Sequence, residues 1–136
     1  MSSKKIKFKI ISPERVVFDD EVDELITDGT CGKFGILPDH IPFMSPVAIG
    51  VTKVIQDGKE EYIATLGGTF QISDNNAVML TNGAECSSEI DILRAQAAKE
   101  RAETRLASKS EEIDTARATI AMAKATARLR AANRQH

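Results

Sequence analysis

An abrupt change of composition at residues 87–95 constrains this chain more than any other feature of its sequence. All 8 glycines, all 4 prolines, all 5 phenylalanines and the single tyrosine lie before Ser87. The residues from Ser87 to His136 are instead rich in alanine and in charged side chains. A switch this complete marks a boundary between two architectures. We therefore treat residues 1–86 and residues 87–136 as two domains.

The bulk composition is typical of a folded globular protein. Hydrophobic residues make up 42% of the chain and charged residues 28%, as in an ordinary domain. No apolar run approaches the about 20 residues of a membrane span, and no signal core follows the basic N-terminus. We therefore expect the protein to stay in the compartment in which it is made. Cys31 and Cys86 have neither CxxC nor metal-ligand spacing, which predicts reduced, inert thiols and no metal site.

The formal net charge of −2 conceals an uneven distribution. The first domain carries −5 and the second +3, and no acidic residue follows Asp114. A basic tail of this kind is suited to an anionic partner or ligand. The alternative is a solvated helix whose cations lie near its C-terminus, where the helix dipole favours them.

Alternating apolar residues predict strands in the first domain. Ile6, Phe8 and Ile10 alternate with lysines, which indicates a half-buried strand with a charged outer face. Asp57-Gly58 lies between two alternating runs and is a strong hairpin signal, because both turn residues need a positive φ. Further strands are predicted at residues 15–18, 22–27, 47–55, 60–66, 70–72 and 78–80. Many short strands without a helical period predict an antiparallel sandwich or barrel.

Several stretches are expected to interrupt these strands. Asp19-Asp20-Glu21 and Gly67-Gly68 are predicted breaks, and Asn75-Asn76 is a predicted turn. Residues 32–42 contain two glycines and two prolines, which predicts an irregular backbone. His40 in this stretch has no serine or cysteine nucleophile and no carboxylate spaced to complete a triad. We therefore favour a structural histidine, with its ring nitrogens satisfied by backbone groups, over a catalytic base.

The second domain has the composition and periodicity of two helices. Alanine, glutamate, lysine, arginine and leucine dominate from Ile90 onward. Ser88 with Asp91, and Ser108 with Glu111, resemble capping boxes, which predicts a helix start at each. The predicted apolar positions are Ile92, Ala95, Ala98 or Ala102 and Leu106 on the first helix, and Ile113, Ala116, Ile120, Ala123, Ala127 and Ala131 on the second. These spacings predict an antiparallel helical hairpin. Because alanines bury little area, the hairpin should depend on docking, on a ligand or on a partner.

Each predicted helix carries one stripe of cations. The stripes consist of Arg94, Arg101 and Arg105, and of Arg117, Lys124 and Arg128. At about 100° per residue, each trio lies within about 40° of arc. Converging cations suit a polyphosphate, although solubilising faces with neighbouring Glu–Arg pairs are the alternative. We find no Gly-rich phosphate loop, no paired metal carboxylates and no positioned base, so a bound nucleotide should not be hydrolysed.

One motif resembles a known family. The block Gly32-x-x-Gly35-Ile36-Leu37-Pro38-x-His40-x-Pro42 is similar to a signature of the epsilon subunits of bacterial F-type ATP synthases. Gly67-Gly68 and Asp91-x-x-Arg94-Ala95 extend the resemblance over the whole chain. The resemblance implies a β-sandwich of about ten antiparallel strands followed by an α-helical antiparallel hairpin. It also implies a non-catalytic rotor subunit of the central stalk, which couples ion-driven ring rotation to ATP synthesis.

The resemblance also implies partners and their contact residues. The expected partners are the gamma subunit, the ring of c subunits, and the beta and alpha subunits, with no nucleic acid. The expected location is peripheral, on the cytoplasmic face of the bacterial cell membrane, without insertion. The implied ring and gamma contact consists of Cys31, Gly32, Lys33, Phe34 and His40. The extended hairpin would inhibit ATP hydrolysis by contacting the beta subunit through Arg105, Arg117, Arg128 and Arg130.

The family resemblance further implies a regulatory ATP site, with no required cofactor. Its residues would be Glu85, Ile90, Asp91, Arg94, Ala95, Arg101, Lys124 and Arg128. Lys124 occupies a position where the tightest nucleotide binders of the family carry arginine, and lysine has no bidentate fork for phosphate. We therefore expect weaker binding than in those relatives. Two alternatives remain: a free-standing ATP-sensing module attached to no rotor, and a small enzyme that uses His40.

Overall fold

The computed structural model describes residues 4–108 and 112–135, and side chains for all of these except residues 112–114. Eight strands are followed by a single 3-10 turn at Ser87–Glu89 and by two helices. The elements are β1 (Ile6–Ile11), β2 (Val16–Val22), β3 (Glu24–Gly29), β4 (Gly32–Ile36), β5 (Phe43–Gln56), β6 (Lys59–Ser73), β7 (Asn76–Thr81), β8 (Ala84–Cys86), α1 (Ile92–Ala107) and α2 (Glu112–Ala132).

The strands form one sheet that closes around a single core. Their order is β2-β1-β7-β6-β5-β3-β4, with β8 paired to β6. Apolar side chains from both halves of the sheet, including Phe8, Leu25, Ile63, Phe70 and Met79, are fully buried together. Alternation places these residues on one face, because side chains two apart point the same way. The predicted β-sandwich followed by a helical hairpin is confirmed.

The strand count and directions differ from the expectation in two respects. The sheet has 8 strands instead of about ten, because β5 and β6 run unbroken for 14 and 15 residues. β6 pairs with β8 through residues 63–65 and with β7 through residues 68–73, so one strand serves two neighbours. In addition, β1 and β7 are parallel, while the other pairs are antiparallel.

The predicted hairpin turn at Asp57-Gly58 is confirmed, and the next turn lies one residue earlier than expected. Asp57 and Gly58 have φ values of 48° and 80° between Gln56 and Lys59, which pair with each other. At the β6–β7 connection the left-handed residues are Asp74 and Asn75, with φ values of 51° and 61°. Aspartate tolerates this conformation nearly as well as asparagine does, so the residue types alone did not set the position.

Three predicted interruptions are wrong or shorter than expected. The acidic run Asp19-Asp20-Glu21 lies inside β2, where Asp19 pairs in register with Lys9 and Glu21 with Lys7 on β1. Opposite charges facing each other across strands stabilise the pairing on the solvent side. Gly67-Gly68 lies inside β6 with positive φ at both residues. Residues 32–36 form β4, so only residues 37–42 of the predicted irregular stretch are irregular.

The first helix begins three residues later than predicted. Asp91 is its N-cap, and the Asp91 Oδ1 atom accepts a hydrogen bond of 3.0 Å from the Arg94 backbone N–H. The predicted Ser88 cap is wrong, because Ser88 lies within the 3-10 turn. Ser108 ends α1, where its N–H donates to the carbonyls of Thr104 and Arg105. The predicted pairing of Ser108 with Glu111 lies outside the described residues.

The apolar seam of the hairpin is narrower than predicted and shifted in phase. Ala95 and Ala102 of α1 are buried, as are Ala118 and Ala125 of α2, each pair spaced by seven. Ile92 and Ile120 are instead 42% and 49% exposed. Predicted positions Ala98, Leu106 and Ala123 are half-buried, Ala127 and Ala131 are buried, Ala116 is exposed, and the Ile113 side chain lies outside the described residues. Small side chains allow close helix approach, which leaves no room for isoleucine in the seam.

Gly68 gives a direct test of the β6–β7 packing. Its φ is 146°, and a Cβ atom there would lie 2.8 Å from the Thr81 Cα atom and even closer to the Leu80 carbonyl oxygen. We expect Gly68→Ala to lower the free energy of unfolding by more than about 3 kcal/mol, as measured by chemical denaturation. The control is Gly58→Ala, where φ is 80° and nothing lies within 4 Å; it should cost about 1 kcal/mol. Equal losses in both variants would contradict this packing.

Candidate functional site

A cleft lies where the sandwich, the 3-10 turn and both helices meet. Its volume is about 380 Å³, and it is lined by Glu85, Glu89, Asp91, Arg94, Ala95, Ala98, Arg101 and Arg128. The lining comes from β8, from the turn, from α1 and from α2. The cleft therefore exists only while the hairpin is docked on the sandwich.

An ion pair between Glu85 and Arg128 joins β8 to α2 across the cleft. The Arg128 Nε atom donates to the Glu85 Oε1 atom at 2.6 Å, and each side chain is 32% exposed. Glu85 lies on β8, which pairs with Ala64 on β6. Glu85 is held in the sheet and Arg128 is carried by α2. The ion pair therefore forms only when the hairpin is docked on the sandwich.

The start of α1 forms another wall of the cleft. Asp91 caps the helix by accepting from the Arg94 backbone N–H, so the Arg94 guanidinium takes no part in the cap. Arg94, Ala98 and Arg101 follow at helical spacings of four and three and line the same cleft. Two guanidinium groups on α1 and one on α2 therefore border a single small space.

The first residues of the hairpin are held by an ion pair that sequence analysis did not predict. The Arg15 guanidinium, in the β1–β2 connection, donates from both terminal nitrogens to the two carboxylate oxygens of Glu89 at 3.0 and 3.1 Å. The Cys86 backbone N–H donates to Glu89 as well, at 3.1 Å. Arg15, with the Cys86 N–H as a smaller contribution, holds the pKa of the Glu89 carboxyl below its usual range.

The neighbouring thiol of Cys86 is held in its protonated form. Burial, reinforced by the nearby carboxylate of Glu61, raises the pKa of Cys86 to about 12. A thiol with so high a pKa is almost wholly protonated at neutral pH, and the thiolate is the reactive form. This agrees with the expectation of an inert cysteine.

The structure brings together most of the predicted nucleotide residues. Glu85, Asp91, Arg94, Ala95, Arg101 and Arg128 line the cleft. Ile90 is instead buried beneath the hairpin, and Lys124 is half-buried on α2 and is not among the lining residues. Sequence reasoning missed Glu89, Ala98 and Arg15. Glu89 and Ala98 adjoin the predicted motif, whereas no local pattern places Arg15 beside a residue 74 positions later.

The hairpin docks through a small apolar cluster. Val51 and Ala64 on the outer face of the sandwich are buried with Tyr62, Ile90 and Ala131. α2 packs against β5 and β6, whereas α1 packs mainly against α2. The docking surface is therefore borne almost entirely by the second helix.

Two arginines beyond Arg128 rim this cluster. An Arg130 terminal nitrogen lies 3.6 Å from Asp28 Oδ2, which also accepts from the Val51 N–H at 2.9 Å. Arg134 donates to the Glu60 carbonyl at 2.7 Å, and its guanidinium lies 5.3 Å from the centre of the Tyr62 ring. Arg134 has a left-handed backbone, with a φ of 56°, and ends α2 as a left-handed C-cap, in which its N–H donates to the Ala131 carbonyl and the Gln135 N–H to the Arg130 carbonyl.

The residues implied for beta-subunit contact fall into two groups. Arg105 and Arg117 are exposed on α1 and α2. Arg128 and Arg130 are instead paired with Glu85 and Asp28 of the sandwich. In the docked arrangement only the first two are open to a partner.

The residues implied for ring and gamma contact differ in exposure. Cys31, Gly32 and Lys33 are exposed at the β3–β4 connection. The Phe34 ring packs against Phe43 and Phe70, with centroids 5.3 and 5.5 Å away. His40 is half-buried, and its Nδ1 atom lies 2.7 Å from the Ile41 carbonyl oxygen, which agrees with the structural role predicted for one ring nitrogen.

Two kinds of feature are absent from the described part of the chain. Among them, no group of three or more His, Cys, Asp or Glu side chains is placed to hold a metal ion. Neither helix, as far as residues 92–107 and 112–132 show, has the length and hydropathy of a membrane span.

Comparison with known families matches nearly the whole chain. Residues 5–87 match the β-sandwich domain of the ATP synthase delta/epsilon chain, and residues 88–133 match the long α-helix domain of the same chain. The ATP synthase epsilon chain of Pelotomaculum thermopropionicum is 41% identical over 110 residues, covering 81% of this chain and 82% of that protein. That of Carboxydothermus hydrogenoformans is 44% identical over 106 residues, covering 78% and 79%.

Solved structures share the fold. A chain in the Euglena gracilis mitochondrial ATP synthase, in a complex of OSCP, F1 and c-ring, aligns with a TM-score of 0.82 and 21% identity, covering 95% of this chain and 81% of that chain. A chain of the Tetrahymena thermophila mitochondrial ATP synthase central stalk and c-ring aligns with a TM-score of 0.60 and 9% identity, covering 97% and 99%. At these identities the likeness concerns the fold.

The contacts of Arg134 predict a measurable effect on hairpin docking. We expect Arg134→Ala to speed amide hydrogen exchange in the last turns of α2 about two- to fivefold, because a cation–π contact and a hydrogen bond to the sandwich are lost. Arg117→Ala, which removes an exposed cation from the same helix, is the control and should leave exchange in these turns unchanged. Unaltered protection in Arg134→Ala would show that Arg134 does not hold the hairpin down.

Proposed function

The chain belongs to the delta/epsilon chain family of ATP synthases, and on that premise we propose that it turns with the central stalk as the epsilon subunit and that its hairpin regulates ATP hydrolysis. In this role it couples proton- or sodium-driven rotation of the c ring to catalytic sites on other chains. It is itself non-catalytic. It works at the cytoplasmic face of the bacterial cell membrane, held there by its partners.

Exposed apolar side chains on the sandwich support docking to the stalk. Leu37, Ile41 and Met44 are 58%, 73% and 66% exposed in and just after the irregular loop. Large apolar groups clustered on a surface usually mark a protein interface. The gamma subunit and the c ring are the partners that the family relationship supplies. The exposed β3–β4 connection, with Cys31 and Lys33, offers a polar contact nearby in sequence.

The docking chemistry of the hairpin supports a movable arm. The apolar cluster beneath α2 is small, and Ala131 contributes a short side chain to it, so burial alone holds the arm weakly. Arg128 and Arg130 supply further contacts, but these are ion pairs at partly exposed positions, which contribute modestly. An extended hairpin would release both arginines for an acidic surface on a beta or alpha subunit, beside the already exposed Arg105 and Arg117.

The composition of the cleft supports ATP as the ligand that stabilises the docked position of the hairpin. The single observation that carries this proposal is that one cleft gathers three guanidinium groups from two helices beside an acid from the sandwich edge. A ligand held by all of these parts binds the docked state alone. It therefore stabilises docking by RT ln(1 + [L]/Kd), which grows with ligand concentration.

The chemistry of the lining fits a nucleoside triphosphate. Guanidinium forks bind phosphate oxygens in pairs, and Arg94, Arg101 and Arg128 offer three of them. Glu85, now paired with Arg128, and Asp91 can accept hydrogen bonds from ribose hydroxyls or from the adenine amino group. Because Lys124 stands outside the lining, we propose moderate affinity. The ligand is released without being hydrolysed.

ATP titration of the isolated protein tests the sensor role. We expect saturable binding, followed by calorimetry, together with stronger amide protection along α1 and α2. Arg94→Ala and Arg128→Ala should each weaken binding about tenfold or more, since each removes a charged hydrogen-bond donor. Arg105→Ala, an exposed cation of α1, is the matched control and should bind as the wild type does. Absence of binding at millimolar ATP would remove the sensor role and leave the inhibitory role intact.

Truncation within the assembled enzyme tests the inhibitory role. A chain that lacks residues 88–136 should support ion-coupled ATP synthesis and raise the rate of ATP hydrolysis several-fold. Complexes reassembled with the full-length chain should hydrolyse ATP at the lower rate again. An identical hydrolysis rate with the truncated and full-length chains would refute inhibition by the hairpin, whatever the result of the ATP titration.

A further inference from the structure

The ion pair between Arg15 and Glu89 lies at the rim of the nucleotide cleft and is unlike the other contacts there. Glu89 lines the cleft, whereas Arg15 comes from the β1–β2 connection and reaches Glu89 from behind. Both guanidinium terminal nitrogens meet both carboxylate oxygens, at 3.0 and 3.1 Å. One of those nitrogens also lies 3.4 Å from the Ala84 carbonyl oxygen, which fixes the guanidinium plane against β8.

The charges of the cleft give this pair a consequence for anion binding. The lining carries three carboxylates, from Glu85, Glu89 and Asp91, and three guanidinium groups, so it is formally neutral. Glu85 is matched by Arg128, and Asp91 is engaged with the helix N-terminus. Glu89 is matched by Arg15, which lies outside the lining. Without Arg15, an uncompensated carboxylate would face a ligand that carries about four negative charges.

We propose that Arg15 is a positioning residue of the nucleotide cleft: it neutralises Glu89 and holds its carboxylate toward the sandwich, so that a polyphosphate can enter beside Arg94 and Arg101. This inference rests on the proposed ATP site and adds to it a residue from the β1–β2 connection of the sandwich. The Arg15 contact also ties the turn that precedes α1 to the β1–β2 connection. A neutral partner at residue 89 would make the charge of Arg15 unnecessary.

The lowered pKa of Glu89 supports this account. The carboxylate is held in its charged form by Arg15 and by the Cys86 N–H, so it is negative at every physiological pH. An acid that remains charged beside a triphosphate costs binding energy unless a cation accompanies it. The Arg15 guanidinium is that cation, and its own pKa is raised by the hydrogen bonds to Glu89.

ATP affinity in four variants tests the proposal. Arg15→Ala should weaken ATP binding to the full-length chain about three- to tenfold, a range set by partial screening of a charge at the rim of the cleft. The loss should be smaller for AMP, which carries fewer charges, and should shrink at high ionic strength. Glu89→Gln should bind ATP at least as tightly as the wild type. The double variant Arg15→Ala/Glu89→Gln should regain that affinity, because the amide needs no counter-charge.

The double variant separates charge compensation from a purely structural role. The double variant lacks the ion pair between residues 15 and 89, as Arg15→Ala does. If Arg15 acted only as a structural anchor, the double variant would therefore bind ATP as weakly as Arg15→Ala. Persistent weakness of the double variant, or an unchanged affinity in Arg15→Ala, overturns the inference. Lys7→Ala removes a cation from the same pair of strands and controls for net charge; it should bind ATP normally. If the wild type itself takes up no ATP, the proposed nucleotide site is refuted, and this inference with it.

Discussion

The contact of α2 with the outer face of β5 and β6 is the interaction on which the other features depend. Among the described residues, its buried cluster consists mostly of small side chains, and Tyr62 and Ile90 are the largest members of that cluster. Alanine supplies little apolar area, so the hydrophobic contribution is small for a two-helix unit. Polar contacts from Arg128, Arg130 and Arg134 surround this cluster and orient the hairpin on the sheet. A contact of this type is specific in geometry but modest in strength.

The cleft proposed to bind a nucleotide follows from that contact. Its walls belong to separate parts of the chain, and none of them alone encloses a volume. The same arginine that completes the cleft, Arg128, also closes the gap to Glu85. A triphosphate would therefore compete with, or share, an existing ion pair. The arrangement links occupancy of the cleft to the position of the arm through one side chain, without requiring any change within the sandwich.

Local pattern predicted the sheet and the helices well and the contacts between them poorly. Period-two alternation identified β1, and Asp57-Gly58 identified the turn between β5 and β6, because both signals depend on neighbours in sequence. The acidic run in β2 was misassigned because its partners, Lys7 and Lys9, act across a strand pair that periodicity does not reveal. The phase of the alanine seam was missed for a related reason: with alanine on several faces, composition does not select which face is buried.

The candidate site shows the same limit. Asp91, Arg94 and Ala95 could be predicted to lie together through a short motif that resembles one of a known family, and all three line the cleft. Arg15 could not, since its proximity to Glu89 is created by the parallel pairing of β1 with β7 and by the return of the chain through β8. Ile90 was assigned to the ligand, although its side chain lies beneath α2. Whether a residue of a motif faces the ligand or the interior is a property of packing.

The unbroken length of β5 and β6 has a mechanical consequence. Each strand runs for 14 or 15 residues through the sheet, a contour of about 50 Å at about 3.3 Å per residue. Force applied at one end is therefore carried through the hydrogen bonds that pair β5 with β6, with no loop inside either strand to absorb it. The hairpin rests on this body from outside and interrupts none of its ladders. A sandwich built this way stays stiff under torque, while the helical hairpin that rests on it remains compliant.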